Sequence, residues 1–211
     1  STKDIRPSAV LDFPYMAWGI RDADFLDEHF LPCVSCMHSM LDMPVPKEES
    51  ILCFANADSK VTSKESLNEF HKFSERLKGG FLLNNCSENH FIEALQKATH
   101  IVSNSYHGAY WGLLSGRKVT LMGYSSKFYN LFKVMGLRRE NVISIDRGDE
   151  SSLIKALDGL DLNRDFVLLE KPSEMRENFR MLNIGFAERL AHMGAVDSFS
   201  YNSRSYKACK D

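Results

Sequence analysis

Between residues 50 and 160, short apolar runs alternate with stretches in which apolar side chains recur every three or four positions. The runs in "SILCFANAD", "GGFLLNN", "HIVSN", "KVTLMG" and "NVISI" have the length and composition of buried strands. Between them, "SKESLNEFHKFSERLK" predicts a helix with Ser63 as N-cap and Leu67, Phe70, Phe73 and Leu77 along one face. "SENHFIEALQKA" predicts a second helix, capped by Ser87, with Phe91, Leu95 and Ala98 turned inward. "YWGLLSG" predicts a short helix closed by Gly116, and "SKFYNLFKVMG" predicts another. Strands that alternate with helices in this way predict an α/β, Rossmann-like parallel sheet with helices on both faces.

The flanks read differently. "PYMAWGIRDADF" predicts a short buried strand over 15–20 that ends in a charged turn, and "MPVPKEES", with two prolines and a charge cluster, predicts a linker. After the strands, "SEMRENFRMLNIGFAERLAHMG" predicts a long amphipathic helix, with Met175, Phe179, Leu182, Phe186 and Leu190 at helical spacing. The expected organisation is therefore the end of an N-terminal Rossmann-like part plus linker (1–46), a C-terminal Rossmann-like domain (47–165), a closing helix (166–195) and a polar tail (196–211). The first 46 residues hold too little to form a second domain and read as the end of something longer.

Composition narrows the classes. A formal net charge of −2 leaves no basic footprint for nucleic acid. No apolar stretch is long enough for a transmembrane helix, and "STKDIRPSAV" lacks the apolar core of a signal peptide, so a cytoplasmic address is expected. Five scattered cysteines do not form a disulfide framework. Cys33 and Cys36 form the sole CxxC. A zinc site would need a second ligand pair that His38 alone does not supply, and a redox CxxC would open a helix after a strand, whereas Pro32 precedes this one. The pair reads as two small thiols packed in a tight turn.

Ligands of open parallel sheets bind beyond the carboxyl ends of the strands. Three polar turns fall at such ends: Arg21 and Asp22; Asn104, Ser105, Tyr106, His107 and Gly108; and Tyr124, Ser125, Ser126 and Lys127. Gly108 permits close backbone approach, and the free amides that open the following helix attract an anion. Lys127 adds a point charge, so a phosphate or carboxylate is the expected guest. Within this group His107 titrates nearest neutral pH and is the candidate proton carrier. The plainer alternatives are a His107 that caps a helix, a solvated Lys127, and an Arg21 paired with Asp22 or Asp24. The remaining histidines (29, 38, 71, 90, 100 and 192) read as structural or solvated.

The stretch "ALQKATHIVSNSYHGAYWGLLSGRKVTLMGYSSKF" resembles the C-terminal region of the polysaccharide pyruvyl transferase family, in which a strand leads into Ser-x-x-His-Gly, an apolar helix, a Gly-x-x-Val strand and a Tyr-Ser-x-Lys turn. "GIRD" at 19–22 is similar to that family's Gly-x-Arg-Asp turn, and "PCVSCMHSMLD" is similar to a segment of its capsule-related members. The resemblance covers roughly residues 15–195. It implies a glycosyltransferase-B-like fold with its C-terminal half complete here. The implied activity is transfer of pyruvate from phosphoenolpyruvate onto two hydroxyls of a sugar as a ketal, in exopolysaccharide or capsule synthesis.

By that likeness His107 and Arg21 match the family's functional histidine and arginine. Asn104, Ser105, Tyr106, Gly108, Tyr124, Ser125 and Lys127 would surround the donor. Many members carry arginine after the serine where this chain has Tyr106, so one cation of the donor pocket is absent. The scheme implies no metal and no cofactor beyond the donor substrate. The implied acceptor is an oligosaccharide or lipid-linked glycan, reached by peripheral association at the inner face of the membrane. Two alternatives keep their place: a nucleotide-sugar-dependent glycosyltransferase of the same fold, and a non-catalytic glycan-binding domain.

Overall fold

The computed structural model describes residues 19–21 and 29–193. Five parallel strands form one sheet: β1 (Ile51–Ala55), β2 (Gly80–Leu83), β3 (His100–Ser103), β4 (Lys118–Gly123) and β5 (Val142–Ser144), in the order β2-β1-β3-β4-β5. Among the described residues six α-helices accompany them: α1 (Lys64–Arg76), α2 (Glu88–Lys97), α3 (Tyr106–Leu114), α4 (Ser126–Val134), α5 (Glu150–Asp158) and α6 (Pro172–His192). This is the expected α/β architecture. Of the strand expected over 15–20, Gly19 and Ile20 are described; Ile20 bridges Phe30 in parallel, and the rest lies outside the described residues, as do Asp22, Asp24 and the tail.

The strands are apolar on both sides because both sides are covered. Leu52 and Phe54 of β1, Ile101 of β3, and Val119 and Leu121 of β4 pack on one face with α2, α3, α4 and α6. Cys53 and Ala55, Val102 and Met122 alternate with them and pack on the other face against Phe70 and Phe73 of α1 and Leu153 and Leu157 of α5. Ser63 and Ser87 cap α1 and α2 through their hydroxyls, accepting from Ser66 N at 3.0 Å and His90 N at 3.4 Å. Gly116, at φ +75°, ends α3 in the left-handed conformation. The sequence reading passes over the stretch that becomes α5, although Leu153 and Leu157 recur at helical spacing and Asp149 caps it by accepting from Ser151 N at 2.9 Å.

Helix α6 departs from its expected face. Phe179 is buried, but Leu182 is 42% exposed, and the residue sunk beside Phe179 is Arg180. What α6 covers is in part a polar surface: the two 3₁₀ turns Val34–Met37 and Ser39–Asp42, which present Cys36 O, His38 O and Leu41 O to it. Arg180 donates to Cys36 O at 2.9 Å and forks onto both carboxylate oxygens of Asp42 at 2.9 Å. Arg176 donates to Leu41 O and Leu114 O at 2.7 and 2.8 Å. Such carbonyls need donors, which leucines at apolar spacing do not supply. The same helix stacks Phe179 on Tyr110, so α3 is enclosed by sheet and α6 together and is apolar all round.

His100, at the start of β3, is buried and its Nε2 lies 2.8 Å from Thr120 Oγ1. Burial, then the Lys118 charge, lower its pKa to about 4 from the usual 6.5. As pH falls, the unfolded chain takes up this proton first, so the contribution is whole above about pH 6.5 and disappears as pH falls through 4. Unfolding free energy is expected to drop by up to roughly 3 kcal/mol across that window. Urea titrations at several pH values check this, and His100→Gln should flatten the profile there.

Candidate functional site

The carboxyl edge of the sheet opens between β1 and β3. The chain leaves β1 toward α1 on one face and leaves β3 toward α3 on the other, so the crevice lies where the topology switches. A cavity of about 260 Å³ occupies it. Arg21, His107 and Lys127, drawn from three separate turns, all line it. Asn56, Asn84 and Asn130 supply amides, and Ser105 and Tyr106 complete the wall. Among the described residues no carboxylate lines it.

The floor is built by side chains that do not themselves face the ligand. Asn104 is fully buried and uses both ends of its amide: Oδ1 accepts from Asn56 N at 2.7 Å, and Nδ2 donates to Thr62 Oγ1 at 2.9 Å. The expected donor contact for Asn104 is therefore replaced by a scaffolding role that holds Asn56 at the rim. Asn56 in turn donates to the Tyr124 hydroxyl at 2.9 Å and accepts from Asn84 Nδ2 at 3.3 Å. Gly108 is likewise buried. A Cβ there would stand 2.5 Å from Phe54 Cδ1 and 2.6 Å from Ser103 Oγ, so the close approach it permits is that of α3 to the sheet rather than to a ligand.

Two of the cations rest on aromatic rings. Arg21 sits over the Tyr106 ring, 5.8 Å from its centroid, so the tyrosine seats a cation from another turn. Lys127 lies over the rings of Tyr124 and Phe128 at 5.4 and 5.0 Å. Partial burial, then the charges of Arg147 and Arg21, lower its pKa. An ammonium in the first turn of α4 also opposes the helix dipole, an arrangement that favours an anionic guest more than it favours the fold. Lys127 and Asn56 are shared with a second cavity of about 470 Å³, where Tyr124, Ser125, Asp58 and Arg147 lie. Ser125 Oγ is buried there with no hydrogen-bond partner among the described residues.

His107 stands in the first turn of α3, its ring stacked on Trp111 at 5.1 Å and 28°. Its Nε2 is 3.6 Å from Cys33 Sγ. Burial raises the Cys33 pKa, but the hydrogen bonds of His107 and Ser35 more than reverse this and bring it to about 6. A sulfur that accepts from Nε2–H leaves Nδ1 as the acceptor of a neutral ring. Cys36 differs: it is wholly buried and packed under α6, with its pKa raised by burial. The packing role read for both thiols thus describes Cys36, whereas Cys33 touches the candidate proton carrier.

Asn56, Asn84, Asn130, Arg147 and Cys33 are site residues that the sequence reading passes over. Asn56 and Asn84 each follow an apolar run at once, so the carboxyl-end rule, applied to every strand, points to them. Cys33 carries no such signal, since 74 residues separate it from His107. Among the described residues no helix is long and apolar enough to cross a membrane. Comparison with protein-family models, with curated proteins and with solved structures gives no match, so what this cleft can do is argued from its own residues: it can hold an anion and move a proton beside it.

Proposed function

We propose that the chain carries the donor site of a polysaccharide pyruvyl transferase, moving pyruvate from phosphoenolpyruvate onto a sugar as a ketal within a glycosyltransferase-B-like protein. The observation that supports this reading is that Arg21, His107 and Lys127 line one cavity at the switch point of the sheet. Phosphoenolpyruvate carries a phosphate and a carboxylate. Lys127 and the first turns of α3 and α4 suit the one, Arg21 the other. His107 takes the proton of the first sugar hydroxyl as its oxygen bonds to C2, a proton from solvent adds to C3, and the imidazolium then returns its proton to solvent, so the addition step balances. The second hydroxyl then displaces phosphate from C2, its proton leaves with the phosphate, and the ketal closes. The scheme passes through no metal or cofactor. A lipid-linked glycan as acceptor would bring the chain to the inner face of the membrane.

Incubation with phosphoenolpyruvate and candidate oligosaccharides is expected to release phosphate and add a pyruvate-sized mass to the glycan. Phosphoenolpyruvate should also raise the thermal midpoint. Lys127→Ala is expected to weaken its binding roughly 10- to 100-fold, the loss of one hydrogen bond to a charged group, as read by titration. The second cavity beside Arg147 favours one rival, a glycosyltransferase with a larger nucleotide-sugar donor. Protection and turnover by nucleotide sugars, with none by phosphoenolpyruvate, would install that rival. Glycan binding with no turnover of either donor would make this a binding domain.

A further inference from the structure

Cys33 stands apart from the other described cysteines. Burial pushes Cys36, Cys53 and Cys86 up, Cys53 to about 12, whereas Cys33 is partly exposed and lies mainly as thiolate at neutral pH. The cause is directional. Trp111 Nε1 can only donate, and it occupies the Ser35 oxygen at 3.0 Å, so the Ser35 hydroxyl proton is free for Cys33 Sγ at 3.2 Å. His107 Nε2 supplies the second donor. Cys36 lies one turn away: its amide donates to Cys33 O at 3.1 Å, which holds the two α-carbons within the roughly 7 Å of a tight turn. That span is one a disulfide can bridge.

We propose that Cys33 is a site of oxidation by hydroperoxides, with Cys36 as the resolving thiol, and that the resulting disulfide removes from His107 the partner that orients its ring. The Cys33 thiolate attacks the terminal oxygen of the hydroperoxide. The O–O bond breaks, the alcohol or water leaves after taking a proton from solvent, and Cys33 becomes a sulfenic acid. The Cys36 sulfur then displaces that oxygen. An S–S bond forms, the S–O bond breaks, and water departs with the Cys36 proton. The two sulfurs lose two electrons and the peroxide gains them. Bridging draws Cys36 Sγ away from Asn183 Nδ2, its 3.4 Å partner on α6. The inference reaches beyond pyruvyl transfer and is read by thiol chemistry alone.

The test uses the full chain, about one equivalent of hydrogen peroxide near pH 7, alkylation and peptide mapping. A Cys33–Cys36 bridge is expected, with Cys53 and Cys86 left as thiols, and Cys36→Ser should trap the Cys33 sulfenic acid as a dimedone adduct. Iodoacetamide labelling of Cys33 against pH should show a midpoint near 6. The groups facing this thiol are His107 and Tyr110 on α3, Ser35 and Cys36 on its own turn, and Arg180 on α6, beside Cys36. His107→Gln should move the midpoint up by about one pH unit or more, and Ser35→Ala by less. Peroxide that leaves Cys33 untouched or oxidises Cys86 or Cys209 first overturns the proposal. So does a midpoint that neither variant moves, provided both unfold at the parent temperature.

Discussion

On the proposed pyruvyl-transfer reading, replacing His107 with glutamine is expected to slow phosphate release from phosphoenolpyruvate about 10²- to 10⁴-fold, the usual range for a lost general acid–base group. The donor should still bind, because Arg21 and Lys127 remain in the cavity wall. The signature is a collapse in kcat with little change in donor affinity. Glutamine forfeits the ring stack on Trp111, so a slightly lower thermal midpoint is expected without loss of the fold. Steady-state kinetics and donor titration of the same preparation separate the two effects. A rate that survives the substitution takes the proton transfer away from His107 and assigns it to another group.

The largest effect on stability is expected from Arg117→Met, about 3–5 kcal/mol by urea unfolding, the range for removing one side of a buried charged network. Arg117 is fully buried. Its Nε donates to Leu95 O at 3.1 Å and Ala98 O at 2.9 Å, its Nη1 to Ser115 O at 3.1 Å, and its Nη2 reaches Pro44 O at 3.5 Å. Apart from that of Pro44, these carbonyls belong to the carboxyl ends of α2 and α3, where the helix dipoles are negative, so one guanidinium satisfies two helix ends at once. Burial lowers its pKa to about 10, which still leaves it charged at neutral pH. Methionine fills much of the volume but takes the side-chain donor from Ala98 O and Ser115 O, while Leu95 O keeps the Ala98 amide. Lysine keeps the charge but not the fork, and should recover only part of the loss. A loss below about 1 kcal/mol for Arg117→Met would mean that water replaces the guanidinium at these oxygens.

Arg117 also shows where reading along the chain stops. Between Gly116 and Lys118 it looks like one more cation in a surface turn; the carbonyls that hold it come from residues 95, 98 and 115 and from the linker. Leu182 makes the same point in reverse. Its spacing placed it on the packed face of α6, yet the surface below is a carbonyl-rich turn, so Arg176 and Arg180 face inward instead. Gly108 and Asn104 lie in the right turn, but the space each occupies is spoken for by Phe54, Ser103, Asn56 and Thr62.

The five strands, most of their helices, the serine caps and the polar turn around His107 were legible in the sequence, because apolar period, capping and left-handed glycines are local consequences of backbone geometry. Which turns meet was not legible. Strand order, and the choice of sheet face by each helix, set Asn56 against His107 and Lys127, and Arg180 and Asn183 of α6 hold the Cys33 turn beneath α3. Tertiary structure alone decided the cation cluster and the Cys33–His107 contact, since burial, hydrogen-bond direction and the field of one charge on another depend on distance in space, and spacing along the chain does not carry them.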